Sequence, residues 1–209
     1  MKASPAVLLV AALAASACSS ATARSSVQPP ARPAAAAPNP ADVRFVTGMI
    51  PHHAQAVLMA GWAESHGARA DIQILCERMK VAQGDEIELM RTWLADHGQP
   101  VPPPDATHMT MTMGGVEHRM LMPGMLTDEE LAELNRARGS EWDRLFLTYM
   151  IRHHQGAITM VDELFNSYGA AQDHFIYRFA SDVWADQTTE IERMQQLLAG
   201  MSAGGGDDR

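Results

Sequence analysis

The sequence predicts an all-α protein: an antiparallel four-helix bundle made of two duplicated helical hairpins with a long methionine-rich crossover. Three observations lead there. "MIPHHAQAVLMA", from Met49, returns as "MIRHHQGAITMV", from Met150, at an offset of 101, and "QGDEIELMRTWL", from Gln83, returns as "QTTEIERMQQLL", from Gln187, at an offset of 104. Around these blocks, four stretches of roughly 25 residues carry helical apolar spacing and no convincing strand pattern. Glycine and proline stand where the stretches must stop.

In chain order, residues 1–17 have the layout of a secretory signal, with Lys2, an apolar run and small residues. Their end, Ala15-Ser16-Ala17-Cys18, resembles a bacterial lipobox, so Cys18 is the expected lipidation site of an exported, periplasmic lipoprotein; the alternative is a plain cleaved export signal, and both readings place the protein outside the cytoplasm. Residues 19–38 are Ala, Pro, Ser and Arg with almost no large apolar side chain, a disordered tether. The four-helix domain is expected over 39–200, with repeat one at 39–97, the crossover at 98–139, repeat two at 140–200 and a disordered tail at 201–209. Asn39-Pro40-Ala41-Asp42 and Ser140-Glu141-Trp142-Asp143 read as equivalent N-caps. Helices are expected from about Ala41 to His66, Arg69 to Asp96, Glu141 to Tyr168 and Ala171 to Ala199, with Gly67 and Gly169 at the turns. Within the crossover, Thr-Asp-Glu-Glu from Thr127 reads as a capping box opening a short helix.

The formal charge is −9, and loss of residues 1–17 with their single charged side chain, Lys2, makes it −10. Such a protein is a poor partner for nucleic acid or an anionic membrane surface and mildly attractive to cations. Membrane contact is expected through the lipid anchor alone. Once Cys18 is processed, Cys76 is the one remaining thiol, which excludes an internal disulfide; among Ile74, Leu75 and Met79 it reads as core. Methionine is unusually abundant, at 15 residues.

Residues three, four and seven apart share a helix face. Met49, His52, His53, Ala56 and Met59 therefore form one stripe, and Met150, His153, His154, Ala157 and Met160 its twin. In the partner helices, Gln83, Glu86 or Ile87, Met90 and Leu94 are echoed by Gln187, Glu190 or Ile191, Met194 and Leu198. Imidazole suits several transition metals, whereas thioether selects copper, above all Cu(I). A methionine at helical spacing is more often core filler than ligand. Adjacent histidines point about 100° apart on a helix, so at most one of each pair sits squarely inward and its neighbour belongs beside the ligands. Pro51 inside the first helix predicts a kink or bulge.

The crossover carries "HMTMTM" and "EHRMLMPGM", which place His108, Met109, Met111, Met113, His118, Met120, Met122 and Met125 where there is little helical core to fill. Closely spaced thioethers in flexible chain suit Cu(I) capture, so these residues form an accessory metal set; the rival reading is an oxidation sink or partner-binding strip. His66, His97 and His174 fall outside both stripes, at helix ends and surface.

The paired "F…MI.HH..A..M" and "Q..EI..M" blocks resemble the domain of unknown function 305 family over about Asp42 to Leu198. The resemblance implies a ferritin-like four-helix arrangement and kinship with bacterial periplasmic copper-binding proteins. The implied ligands are Met49, His52, His53, Met59, Met150, His153, His154 and Met160, supported by Met90 and Met194. The expected function is sequestration or transfer of copper, chiefly Cu(I) with Cu(II) as a second state, without catalysis, and with a copper-accepting protein as a second partner. A ferritin-like di-metal oxidase would want Glu-x-x-His motifs, and the chain has none; Glu86 and Glu190 alone supply too few carboxylates. A purely structural or interaction bundle is the other alternative.

Overall fold

The computed structural model describes residues 37–204. The expected signal, Cys18, residues 19–36 of the expected tether and residues 205–209 lie outside the described residues. The protein is mostly helical with one small sheet: α1 Pro40–Ala60, α2 Ala70–Asp96, β1 Met109–Met113, β2 Val116–Met120, α3 Asp128–Arg136, α4 Gly139–Phe165 and α5 His174–Gly204. No helix among the described residues is long and apolar enough to cross a membrane.

Asn39 caps α1, its Oδ1 accepting the Ala41 N–H at 2.8 Å, with Pro40 fitting the first helical position. The capping box at Thr127 forms, Thr127 Oγ1 accepting from Glu130 N and Glu130 returning to Thr127 N. Other boundaries move. The first helix stops at Ala60, not His66, because the following bonds tighten to the third residue back: Trp62 N to Met59 O, Ala63 N to Ala60 O and Gly67 N to Glu64 O. Its counterpart α4 stops at Phe165, and starts at Gly139 with Arg138 before it and no side-chain cap, so Ser140 is not the cap. α5 starts at His174 rather than Ala171, since Ala171 takes a left-handed φ of 54°. It continues through Gly204, four residues into the expected tail.

The strand pair is the largest departure from expectation. Met109↔Met120 through Met113↔Val116 pair antiparallel, joined by Gly114 and Gly115 at φ 60° and 81°. Two central residues with positive φ make the tight turn whose twist matches a hairpin. The kink or bulge expected at Pro51 does not interrupt α1. The donor lost there would have served Thr47, and Thr47 and Pro51 border a cleft walled by Pro100, Val101, Pro102 and Pro103.

α1 packs along α2, α4 along α5, and the two pairs meet through α1 and α4. Two apolar clusters result. One holds Phe45, Met49, Met90 and Met160; the other holds Phe146, Met150, Met194 and Met59. Each residue's duplicate sits in the opposite cluster, as a pseudo-twofold axis between α1 and α4 requires. Reciprocal ties obey the same symmetry. Asp42 accepts the Ala171 N–H at 2.7 Å and Asp143 accepts the Arg69 N–H at 3.2 Å, each reaching from one hairpin into the turn of the other. Burial pushes both carboxyls above their usual range.

Candidate metal centre

The two clusters leave the middle of α1 and α4 to four histidines. His52, His53, His153 and His154 are all fully buried, at 0% exposure. His52 and His153 meet across the α1–α4 interface with ring centroids 3.8 Å apart and planes tilted by 37°. His53 and His154 lie outward of them, each centroid a little over 6 Å from its sequence neighbour's, at 6.3 and 6.2 Å. All four thus enter the interior, more than the expected one per pair.

Their nitrogens are only partly engaged. His52 donates its Nε2–H to Pro123 O at 3.0 Å, and His154 donates its Nε2–H to Glu190 Oε2 at 2.6 Å. His53 Nε2 lies 2.8 Å from Glu86 Oε2, off the line of a hydrogen bond. Oxygen acceptors at Nε2 fix the tautomer and turn Nδ1 into a lone-pair donor. Nδ1 of His52, His53, His153 and His154 has no hydrogen-bond partner, nor has Nε2 of His153. Buried polar atoms are rarely left unpaired, so this donor set fits a metal ion that accepts imidazole lone pairs. Among the described residues no three His, Cys, Asp or Glu side chains are placed to cage an ion together.

Electrostatics keep the two facing rings, His52 and His153, in ligand form. Burial first, and the neighbouring imidazoles second, lower His52 to about 3 and His153 well below its ordinary value. A neutral ring offers its lone pair without first releasing a proton. Outward of the rings, Glu86 and Glu190 line a cavity of about 180 Å³ with Gln83, Asp186 and Gln187. Burial, then Glu86 and Glu190, push the Asp186 carboxyl upward. The stripe of α2 left Glu86 or Ile87 open; Glu86 touches His53 while Ile87 enters the core, and Glu190 and Ile191 repeat the division.

The crossover roofs the centre. Gln55 accepts the Leu126 N–H at 2.7 Å and donates to Leu126 O at 3.0 Å. Its duplicate is Gly156, where a Cβ would stand 1.9 Å from Pro123 O. One copy of the repeat grips the crossover and the other clears space for it. Sequence reasoning left Glu86 and Glu190 as alternatives to Ile87 and Ile191, related by the offset of 104, and missed Gln55, Gly156 and Pro123 as parts of the centre.

Met49, Met59, Met90, Met150, Met160 and Met194 are all buried in the two clusters, where they fill core volume beside the histidines. The accessory set divides. Met109, Met111, Met120 and Met122 line one cleft. Met125 is buried and its Sδ accepts the Met122 N–H. His108 is held by Thr107, Arg119 and Asp128. His118 is exposed opposite Met111 in the strand pairing, and Met113 ends β1. Cys76 is buried as expected, with burial pushing its thiol up to about 12, so it offers no thiolate. His66 is buried rather than superficial, its Nε2 3.0 Å from Asn135 O.

Fold and centre together define a mostly helical protein with an imidazole-rich interior. The chain belongs to the DUF305 family, a domain of unknown function whose family profile matches residues 42–198. It resembles a DUF305 protein of Streptomyces coelicolor assigned as secreted, at 28% identity and TM-score 0.65, covering 78% of this chain and 94% of that one. A DUF305 fragment from Deinococcus radiodurans is similar at 27% identity and TM-score 0.64, over 78% of this chain and 99% of the fragment. CopM in its Cu(I)-bound form matches at 26% identity and TM-score 0.58, over 76% of this chain and 96% of CopM; CopM is also known in Cu(II)-bound, silver-bound and apo forms. No curated protein matches the chain.

Proposed function

We propose that this protein is a cell-envelope copper-binding protein that sequesters or transfers copper, chiefly Cu(I), and catalyses no reaction. The observation that carries the reading is the buried histidine quartet with unpartnered Nδ1 atoms, three of its rings backed by an oxygen at Nε2. Imidazole nitrogens drawn from His52, His53, His153 and His154, no more than two at one ion, hold the copper, with the surrounding methionine sulfurs as soft auxiliary donors. Zinc would want a closed four-ligand site; Cu(I) accepts fewer ligands and tolerates thioether. Resemblance to CopM supports the choice of metal.

On this reading the two hairpins form an antiparallel four-helix bundle of ferritin-like type. Resemblance to a relative assigned as secreted supports a location outside the cytoplasm; Cys18 as lipid anchor and a copper-accepting protein as second partner complete the proposal. The competing reading is a structural bundle. A Cu(I) competition titration against a chromophoric chelator separates them, run on the protein and on a variant with His52, His53, His153 and His154 all changed to Ala. Tight binding lost in the variant is expected. Equal affinity in both proteins would sink the histidine centre, and no binding by either would leave the structural reading.

A further inference from the structure

Outside the core, a cleft of about 280 Å³ opens between the β1/β2 hairpin and the face made by α1 and α4. Met109 and Met111 of β1, Met120 of β2, Met122 just after it and Met160 of α4 line it. Five thioethers from four chain segments converge there, although Met111 and Met120 are 38% and 42% exposed and fill no core. Branched aliphatic side chains would cover an apolar face as well; thioether adds a soft donor.

The seat of Met122 is built. Gly48 stands where the other repeat has Tyr149, and a Cβ at Gly48 would lie 2.9 Å from Met122 Cε, 3.3 Å from its Sδ and 3.4 Å from Met160 Cε. The absent side chain lets Met122 lie against α1 beside Met160. Arg44 and Glu163 also line the cleft, opposite charges that offset one another. With a single carboxylate present, the cleft offers little to a hard divalent ion. Met122 directly precedes Pro123, whose carbonyl holds His52, so cleft and histidines are adjacent along the chain.

We propose that this cleft is an accessible Cu(I) site, distinct from the histidine centre, through which the ion passes on its way to His52. The passage rests on the histidine centre being a copper centre; the site itself does not. The pairing of an open thioether cleft with buried imidazoles gives the ion a place of rapid exchange ahead of a place of retention.

The test uses the whole exported chain labelled with ¹³C at the methionine methyls, titrated with Ag(I) as a redox-inert probe, and stopped-flow loading with Cu(I). The variants are M109L/M111L/M120L/M122L, which keeps the apolar volume; G48A, which keeps every thioether but unseats Met122; and the four-histidine-to-Ala protein. Ag(I) is expected to shift the methyls of Met109, Met111, Met120, Met122 and Met160 in the wild type and equally in the histidine variant. The leucine variant should bind one equivalent fewer and fill its histidines at least about tenfold more slowly, and G48A should bind about tenfold more weakly at the cleft. Unmoved methyls, or the same number of equivalents in the leucine variant, would remove the site; equal loading rates would remove the passage. Methyl shifts that persist while the histidine rings never respond would overturn the histidine centre and spare the cleft.

Discussion

The imidazoles of His52 and His153 face each other across the pseudo-twofold axis, their centroids 3.8 Å apart and their planes inclined by 37°. Two positive rings cannot share that space away from water, so both stay neutral. Folding therefore excludes protons that the unfolded chain would take up. Above pH 6.5, the ordinary histidine value, folded and unfolded chains alike are neutral here and stability is complete. As pH falls below 6.5 the unfolded chain protonates while folded His52 resists down to about 3, so stability is lost progressively through that window. The melting temperature of the metal-free protein, followed by circular dichroism, should decline from pH 6.5 towards 3. A His52→Leu/His153→Leu variant should decline less steeply; an identical slope would contradict the assignment.

At Gly156 the backbone of the crossover lies directly against α4. An added Cβ would meet Pro123 O at 1.9 Å and Gly124 Cα at 2.8 Å, and these are backbone atoms that cannot swing aside. Gly156→Ala should therefore lift Pro123 off His52 and cost about 1–3 kcal/mol, the usual penalty of overpacking. Urea unfolding measures the loss, and limited proteolysis should cut the crossover sooner than in the wild type. Wild-type stability in this variant would mean that the crossover is not seated on α4.

The repeat was legible because the same block of residues returns along the sequence, and its two copies Met49 and Met150 lie in different clusters. Helix ends were less legible: Ala171 ends up left-handed with its N–H on Asp42, a tertiary contact that no local pattern encodes. The hairpin was readable and was missed. Met-Thr-Met-Thr-Met alternates with period two and Gly114-Gly115 supplies a turn, although methionine is not among the residues enriched in strands. The paired histidines were visible as donors, whereas their carboxylate backing was not, since a glutamate on another helix becomes a partner only once the helices pack.

Gln55 and Gln155 stand side by side in quality but not in role. Gln55 is fully buried and makes both bonds to the Leu126 backbone, while Gln155 is exposed. Gln55→Ala leaves a buried N–H and C=O without partners and should destabilise by about 1–3 kcal/mol for each. Gln155→Ala, lacking such a bond, should stay within about 0.5 kcal/mol of wild type. Denaturant midpoints for the two variants decide the matter, and similar values would remove the latch.

The two glutamates behind the histidines are not equivalent. Glu190 is aligned with His154 Nε2 at 2.6 Å, whereas Glu86 sits 2.8 Å from His53 Nε2 off the bonding line. A carboxylate accepting the far N–H raises the donor strength of the near nitrogen and holds the ring in place, and its loss costs about 10–100-fold in metal affinity. Glu190→Gln should therefore weaken Cu(I) binding within that range and Glu86→Gln by less. Neither should disturb the helices, because both side chains are partly exposed, at 24% and 18%. Competition titrations of the two variants with circular dichroism as the folding control measure the difference; a larger effect at Glu86, or none at Glu190, would show that the carboxylates do not tune the rings.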